Sequence, residues 1–578
     1  MQGKPYAGNP HVRFDEGAGA PRHSGRSALL YRALISFLAF SCALGAGAAE
    51  YFVAADGRDA ADGSAAKPWR TIQRAADAAR AGDVVTIRGG VYREWVKPVN
   101  AGREGAPITY RAAKGEKVVV TGADPVTGWT RRPDGLWTAR VRYDSFGGMN
   151  PFTDFIFGDW FNAKGRNHFR TRLIQDGKPL ALHDRSALIG GKSMSADAPL
   201  VASGHAVLVP GMVSGTIVAA FEKDPNVYVP ELVVRPACFY PAVEHRDYIT
   251  LRGITFVNAG PNWAPPTSEQ VGVVGTNWSR GWVIEECEVS GSSCAGITLG
   301  KCGDEFDNAG PSAQNYHNTI RRAASNGLDR VGHHVVRRCR ITDCGQVGVC
   351  GSLGAVFSTI EDCEISYCFW NKPFRGAEMG GIKIHGAVDF TVSGCRIHHS
   401  GYSGIWLDWM AQGARISHCR MWANNHDLWL EVDHGPILVE GCDFLSDVAL
   451  WACSQSAAFV GNRIRGRYRY HNDARRTPVF RPHTVELVSV DEVACGQGGF
   501  IFINNILGNE PAFAKEAHPS RYEDNWMVPA ACWTVDDATG ACDMAPPAGS
   551  AKPDFRPVDA KRLGKALFTD QAYMDATL

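Results

Sequence analysis

Three short lines of the 578-residue sequence end on a functional group at the same step of the same pattern: Ile382-Lys383-Ile384-His385, Ile405-Trp406-Leu407-Asp408 and Leu428-Trp429-Leu430-Glu431. The closing His, Asp and Glu recur at 23-residue steps, and a second set of markers, Cys395-Arg396-Ile397, Cys419-Arg420-Met421 and Cys442-Asp443-Phe444, keeps nearly the same beat. A repeat of that length is one coil of a solenoid. In a parallel β-helix each coil lays its strands on those of the coil before, so equivalent residues stack at roughly 4.8 Å. Strand alternation sends the two apolar residues of each line inward and the intervening side chain and the His, Asp or Glu outward. Asp408 and Glu431 then stand side by side, close to the ~5 to 5.5 Å between the two carboxylates of a retaining glycosidase, where one attacks the anomeric carbon and the other protonates the leaving oxygen. An inverting enzyme must hold a water between carboxylates ~6.5 to 9.5 Å apart, and one coil leaves no room for it.

Environment assigns the two roles. Lys383, one coil below on the Asp408 side, favours the ionised carboxylate a nucleophile needs, and desolvation beside Trp429 favours a protonated Glu431. An outward Asp and Glu on a solenoid face are otherwise ordinary solubilising charge. Here they are stacked by register, continue into His385 with Lys383 and Glu378 nearby, and are bracketed by Trp406, Trp409, Trp422 and Trp429, exposed aromatic surface that is costly without something to cover it. His434 either bonds substrate or terminates its strand. Asp427 and Asp433 flank the same strand but lack the parity of the Asp408 row, and Asp427 also suits turn chemistry.

These residues need a solenoid to hold them, and the composition allows one. Gly at 63 residues and a 45% apolar share describe a turn-rich globular chain. A formal net charge of zero offers neither nucleic acid nor an anionic membrane the basic stripe it would need. Arg26 to Ala49 combines a basic start, a short apolar run and small residues before Glu50, the anatomy of a secretory signal with cleavage near Ala48 or Ala49. The apolar run is too short to span a bilayer, so the mature chain is expected in the periplasm or outside the cell. Cys287, Cys339, Cys363, Cys395, Cys419 and Cys442 open strands in one series that continues into Asn462 and Asn505. They read as small buried stand-ins in an Asn ladder, and no pair has the C-x-x-C and His spacing of a zinc site. Cys532 and Cys542 are the expected disulfide.

In chain order, residues 1–49 form the extension and signal segment. Residues 50–122 hold an N-terminal cap and the first coils, with a helix whose Ile72, Ala75, Ala76 and Ala79 share one face. This stretch resembles the N-terminal cap of right-handed parallel β-helix proteins. Over 123–243 the coil pattern gives way to alternating runs such as LWTARVRY and HAVLVPG, read as an inserted β-sandwich-like domain, with irregular coils as the alternative. Residues 244–510 are the main β-helix, interrupted by an excursion between Cys302 and Val331 with a short helix around Thr319 to Ser325, and by a loop from Arg465 to Leu487. Phe500 to Gly508 is read as the last coil and 511–578 as a tail. The fold class is thus all-β: a right-handed parallel β-helix carrying an inserted sandwich.

The segments GIWLDWMAQGARIS and NNHDLWLEVDHGPILV, with GTNWSRGWVIE, GITLGK, GGIKIHGA and RRTPVFRPHTVE, resemble glycoside hydrolase family 120, whose characterised members are β-xylosidases. The resemblance covers most of the mature chain. It implies a nucleophile at Asp408, an acid/base at Glu431 and substrate contacts at Glu378, Lys383 and His385, with Trp406 and Trp429 beside them and Arg475, Arg476 and His483 as loop candidates. It further implies an oligosaccharide substrate, no metal or other cofactor, and a homo-oligomer. Cysteines at ladder positions often held by Asn depart from the family pattern, which touches stability rather than activity. Two other classes compete. A pectate-lyase-like enzyme would use Ca²⁺ with Lys383 as base, but calcium takes six to eight oxygen ligands and this face offers few acids. A non-catalytic carbohydrate-binding solenoid would need only the aromatics.

Overall fold

The computed structural model describes residues 48–184, 203–473, 475–495, 498–511, 518–553 and 555. Most of the expected signal segment lies outside them. Among the described residues no helix is long and apolar enough to cross a membrane.

Glu50–Val53 pairs in parallel with Val84–Ile87, which pairs in turn with Ile108–Ala112. Between the first two strands, α1 (Ile72–Ala78) starts at Thr71, whose side chain accepts from the Arg74 amide, and buries Ile72, Ala75 and Ala76 over the end of the apolar core. A solenoid needs such a cap because its last rung would otherwise expose the core to water. Ile108–Ala112 then pairs directly with Ile249–Arg252, and Val118–Thr121 with Thr255–Ala259. The coil stack therefore continues across residues 123–248 as though they were absent. Those residues form a four-stranded and a five-stranded sheet, largely antiparallel, around a core of their own that includes Trp129, Phe152, Leu173, Leu208, Ile217 and Leu232.

The coils build three parallel sheets of 13, 12 and 8 strands. The excursion before the functional rungs carries α2 (Ala313–Ser325), longer than the expected Thr319 to Ser325. It begins at Ser312, whose side chain accepts from the Asn315 amide, and buries Tyr316, His317, Thr319 and Ile320. In the eight-stranded sheet the rungs that matter are β1 (Gly380–His385), β2 (Ser403–Asp408), β3 (His426–Glu431), β4 (Val448–Cys453) and β5 (Arg467–Tyr470). Their register stacks Ile382 on Ile405, Leu428 and Leu450, all fully or almost fully buried. Each such side chain contributes on the order of 1.5–3 kcal/mol relative to exposure, and a one-residue slip would turn the whole column outward.

The turn ladder is as expected. Asn462 accepts from the Cys442 amide at 2.8 Å, Asn505 from Asn462 at 2.9 Å and Asn525 from Asn505 at 2.9 Å. In the cysteine section the thiol takes the place of the amide oxygen, with Cys339 N to Cys363 Sγ and Cys419 N to Cys442 Sγ both at 3.4 Å.

Three expectations are corrected. The solenoid does not end at Gly508: Arg521–Glu523 and Trp526–Met527 extend the two longer sheets by a further coil. The chain leaves the eight-stranded sheet only after Tyr470, and the following stretch is an antiparallel hairpin, Arg476–Phe480 against Leu487–Ala494. Cys532 and Cys542 are unbridged. Their hairpin register opposes Val535 to Cys542, and the Ala545 amide donates to the Cys532 carbonyl, so the two thiols are several residues out of step. Sixteen cysteines among the described residues are free and most are buried. Thiol titration of denatured, unreduced protein should accordingly find about sixteen thiols in the mature chain, and a count lower by two or more would contradict the unbridged ladder.

Candidate active site

Strand register decides which side chains meet. β1, β2 and β3 align Lys383 with Trp406 and Trp429, and His385 with Asp408 and Glu431. These are two parallel columns on the face opposite the core. Both are buried, because the face is roofed over. Trp406 and Trp429 stack at 3.9 Å between ring centroids, Trp429 stacks on Trp451 at 4.5 Å, and Tyr402 packs against the first two. The expectation of exposed tryptophans is therefore corrected: Trp406 is 2% and Trp429 7% accessible, each covered by its neighbour one rung away. Trp422 does not belong to this face. It lies in the twelve-stranded sheet, where it stacks on His398 at 4.1 Å.

Under the roof is a cavity of about 540 Å³. Asp408, Glu431, Glu378, His385, Trp406 and Trp429 line it, as do Tyr402, Trp409 and Arg475, while Trp160 from the insertion, Pro266 and α2 residues Ala313 and Tyr316 close it from the other sides. The insertion is held there by paired backbone hydrogen bonds between Asn162 and Arg375. At Gly376, a Cβ would meet the Trp263 ring at 2.4 Å, so only glycine allows this approach.

Charges are distributed unequally along the carboxylate column. Lys383, 1% accessible, donates to Asp408 Oδ2 at 2.6 Å and lies 3.7 Å from Glu378 Oε2, with its ammonium 3.0 Å from the Trp406 ring centroid. His385 Nε2 bonds Glu378 Oε2 at 2.7 Å, and its Nδ1 is 3.5 Å from Asp408 Oδ2. Glu378, His385 and Asp408 thus offer three ligand atoms within 4.8 Å of one another, but the Lys383 ammonium already supplies the cation that such a cluster attracts. Asp408 Oδ1 has no hydrogen-bond partner among the described residues, nor have the buried Trp409 and Trp429 Nε1 groups. Buried polar atoms left without partners are costly, and these belong to cavity-lining residues.

Glu431 is held differently. Trp406 Nε1 donates to its Oε2 at 3.1 Å, and Arg475 donates to its Oε1 while Asp473 grips the same guanidinium. Burial, followed by the Asp408 charge, pushes the Glu431 carboxyl up to about 7, with Lys383 and Arg475 pulling the other way.

Seven of the eight expected site residues converge here, with Lys383 behind the cavity wall, reaching it through Asp408. His434 does not line the cavity; its Nε2 bonds Thr477 Oγ1 at 2.6 Å beneath the hairpin. Of the loop candidates, Arg475 reaches the site, whereas Arg476 does not line it and the largely exposed His483 bonds Asp389. Asp427 is taken up by Asn424 and Ser446, and Asp433 by the Ala411 amide and Ser454. Trp160, Tyr316 and Tyr402 were not foreseen. Tyr402 sits one residue before β2, a position the repeat could have flagged; Trp160 and Tyr316 come from an insertion and an excursion that carry no repeat.

Comparison with known proteins gives a consistent picture. The family model described as right-handed beta helix region matches residues 271–464, and that of the glycoside hydrolase 120 insertion domain matches residues 126–189. The solved complex of XylC with xylose aligns at a TM-score of 0.76 and 31% identity, covering 83% of each chain. Two curated relatives match over short stretches: the uncharacterized protein YwoF of Bacillus subtilis (strain 168), 39% identical over 77 residues, and pectate lyase PEL9 of Emericella nidulans, 37% identical over 79. Each match spans 13% of this chain and only 16% and 19% of those proteins.

The Arg475 contact has a measurable consequence. Removing the guanidinium in R475M withdraws a cation that favours the ionised carboxyl. The Glu431 midpoint, followed by ¹³C NMR of labelled glutamate, should move upward from about 7; an unchanged or lowered midpoint would show that Arg475 does not set it.

Proposed function

The chain belongs to glycoside hydrolase family 120, and from that premise we propose that it is a retaining, exo-acting β-xylosidase releasing xylose from xylo-oligosaccharides. The observation that carries the mechanism is the register pairing of Asp408 with Glu431 across adjacent parallel strands, roughly 4.8 Å apart by strand spacing and so in the range of a retaining pair. Xylose as the sugar is supported by the xylose held in the XylC complex, 31% identical over 83% of both chains. Exo action is supported by the roof: a cavity closed by Trp160 and Tyr316 suits the end of a sugar chain better than its middle.

Asp408 is the nucleophile. Lys383 engages Oδ2 and leaves Oδ1 without a partner among the described residues, so Oδ1 attacks the anomeric carbon while the bond from that carbon to the leaving oxygen breaks. Glu431, protonated through much of the neutral range because burial raises its carboxyl to about 7, gives its proton to the leaving oxygen. The resulting Glu431 carboxylate then takes a proton from water, the water oxygen attacks the anomeric carbon, and the bond to Asp408 breaks. Glu378 and His385 lie beside the Asp408 rung, where the glycone's hydroxyls would be bound, and the Trp406–Trp429 stack forms one wall. Lys383 and Arg475 act through the carboxylates they touch. The calcium-dependent lyase alternative finds little support in this donor set, which holds two carboxylates, one imidazole and a lysine cation where calcium takes six to eight oxygens.

A panel of nitrophenyl glycosides tests the sugar: hydrolysis of the β-xyloside should exceed that of the β-glucoside and α-xyloside, and no turnover of any glycoside would overturn the reading. Within that activity, E431A should lose most on substrates with poor leaving groups, by about 10²–10⁴-fold as expected for loss of an acid/base catalyst, and azide should restore part of the rate on activated ones. D408A should abolish turnover of all of them. For wild type, kcat/KM on a poor leaving group should fall as pH rises through about 7, because the acid form of Glu431 is lost there.

A further inference from the structure

We propose that the enzyme has an aglycone subsite for a sugar bearing a carboxylate, built from Arg467, Arg469 and the outer edge of the Trp ladder. The proposal rests on the assignment of Glu431 as acid/base. A residue that protonates the leaving oxygen must stand on the aglycone side, so the glycone lies toward Asp408, Glu378 and His385 and the rest of the substrate runs toward the later coils. The register states what is found there. The Trp406–Trp429 column continues into Trp451 on β4 and Arg469 on β5. Trp451 is only partly buried, stacks on Trp429 at 4.5 Å and carries the Arg469 guanidinium 5.8 Å from its ring centroid. Sugar rings pack on such an aromatic edge, and the guanidinium beyond it is the natural partner of a carboxylate.

The arginines themselves argue for an anion. Arg463, Arg465, Arg467 and Arg469 alternate along one stretch. Arg463 is paired with Asp443 and Arg465 with Asp447. Arg467 and Arg469 are exposed, two residues apart on the same face of β5, and neither makes a side-chain ion pair among the described residues. Two like charges held side by side repel unless an anion lies between them. Both line a cavity of about 570 Å³ together with Trp370 and Asn425. Asp447 and Asp537 line the same cavity, the first paired with Arg465 and the second 3.4 Å from His399, and neither forms an ion pair with Arg467 or Arg469 among the described residues.

Distance agrees with a sugar chain. Arg469 stands two rungs beyond β3, and Arg467 two residues further back along the strand. At roughly 4.8 Å per rung and 3.3 Å per residue, and with Arg469 in the Trp column two residues short of the Glu431 column, the backbones of Arg469 and Arg467 lie about 12 Å and about 16 Å from that of Glu431, within reach of the second sugar unit past the scissile bond once the side chains extend toward it. The ligand class that follows is an oligosaccharide with the cleavable neutral sugar at its non-reducing end and a uronate within the next two units or attached to them.

The test compares kcat/KM for a neutral xylo-oligosaccharide with that for the same oligosaccharide carrying a uronic acid on its aglycone portion. Wild type should prefer the acidic substrate by about tenfold, the scale of one charge-assisted hydrogen-bonded contact, and the preference should shrink as salt rises. In R467Q/R469Q, and more weakly in R469Q, the ratio of the two kcat/KM values should fall to about one. Both residues are exposed, and circular dichroism with thermal unfolding will verify that the variants fold. Equal kcat/KM values in wild type, or a preference that survives R467Q/R469Q, would overturn the subsite. Wild-type hydrolysis of nitrophenyl β-xyloside keeps the two readings separate: its absence rejects the glycosidase assignment, whereas its presence without the acidic preference rejects the subsite alone.

Discussion

Everything at this site depends on parallel strands stacking in register. A coil that returns after 23 residues sets each residue directly above its equivalent, so a pattern along the chain becomes columns across the sheet. One column, Ile382, Ile405, Leu428 and Leu450, is core. A second is the stack that begins with Lys383 and passes through three tryptophans to Arg469, and a third carries His385, Asp408 and Glu431. The core column holds the other two in place, since a slip of one residue would bury the carboxylates and expose the leucines. The spacing of Asp408 and Glu431 is thus a property of the backbone ladder and does not rely on any loop.

The same stacking raises an electrostatic difficulty. Carboxylates on adjacent rungs, both sheltered from water, cannot both ionise at low cost. The fold answers with two cations of different origin. Lys383, inside the ladder, is fixed on Asp408 and on the Trp406 face. Arg475, from the segment after the last rung, reaches back over Glu431 and is itself restrained by Asp473. The ladder-borne cation is fully buried against one carboxylate while burial pushes the other up to about 7, and the proposed division into nucleophile and acid rests on this asymmetry.

Legibility in the sequence follows the same division. The repeat carried the solenoid, the stacking of His385 on Asp408 and Glu431, the cysteine and asparagine ladder and the break at the insertion, because a period-2 strand in a 23-residue coil leaves little freedom. The walls were not legible. Trp160 arrives from an inserted domain and Tyr316 from a helix in an excursion, and their approach to β2 is a matter of tertiary docking with no trace in local pattern. Trp422 does not join the site because a tryptophan three residues after a ladder cysteine lies on a different sheet from one in the Ile-Trp-Leu-Asp line. His434 has the spacing of a site residue but turns under the hairpin to Thr477, a partner 43 residues away that the repeat does not reach. The Cys532–Cys542 pairing failed for a similar reason: separation in sequence carries no information on hairpin register.

The proposed mechanism requires that one rung of spacing make Asp408 a nucleophile and not the partner of an interposed water. Proton NMR of the sugar released in the first moments of hydrolysis, before mutarotation, reads this directly. A β-configured substrate should release the β-anomer first, by way of a covalent intermediate on Asp408. Initial release of the α-anomer would mean that a water is held between the two carboxylates, and the register-based mechanism would be wrong.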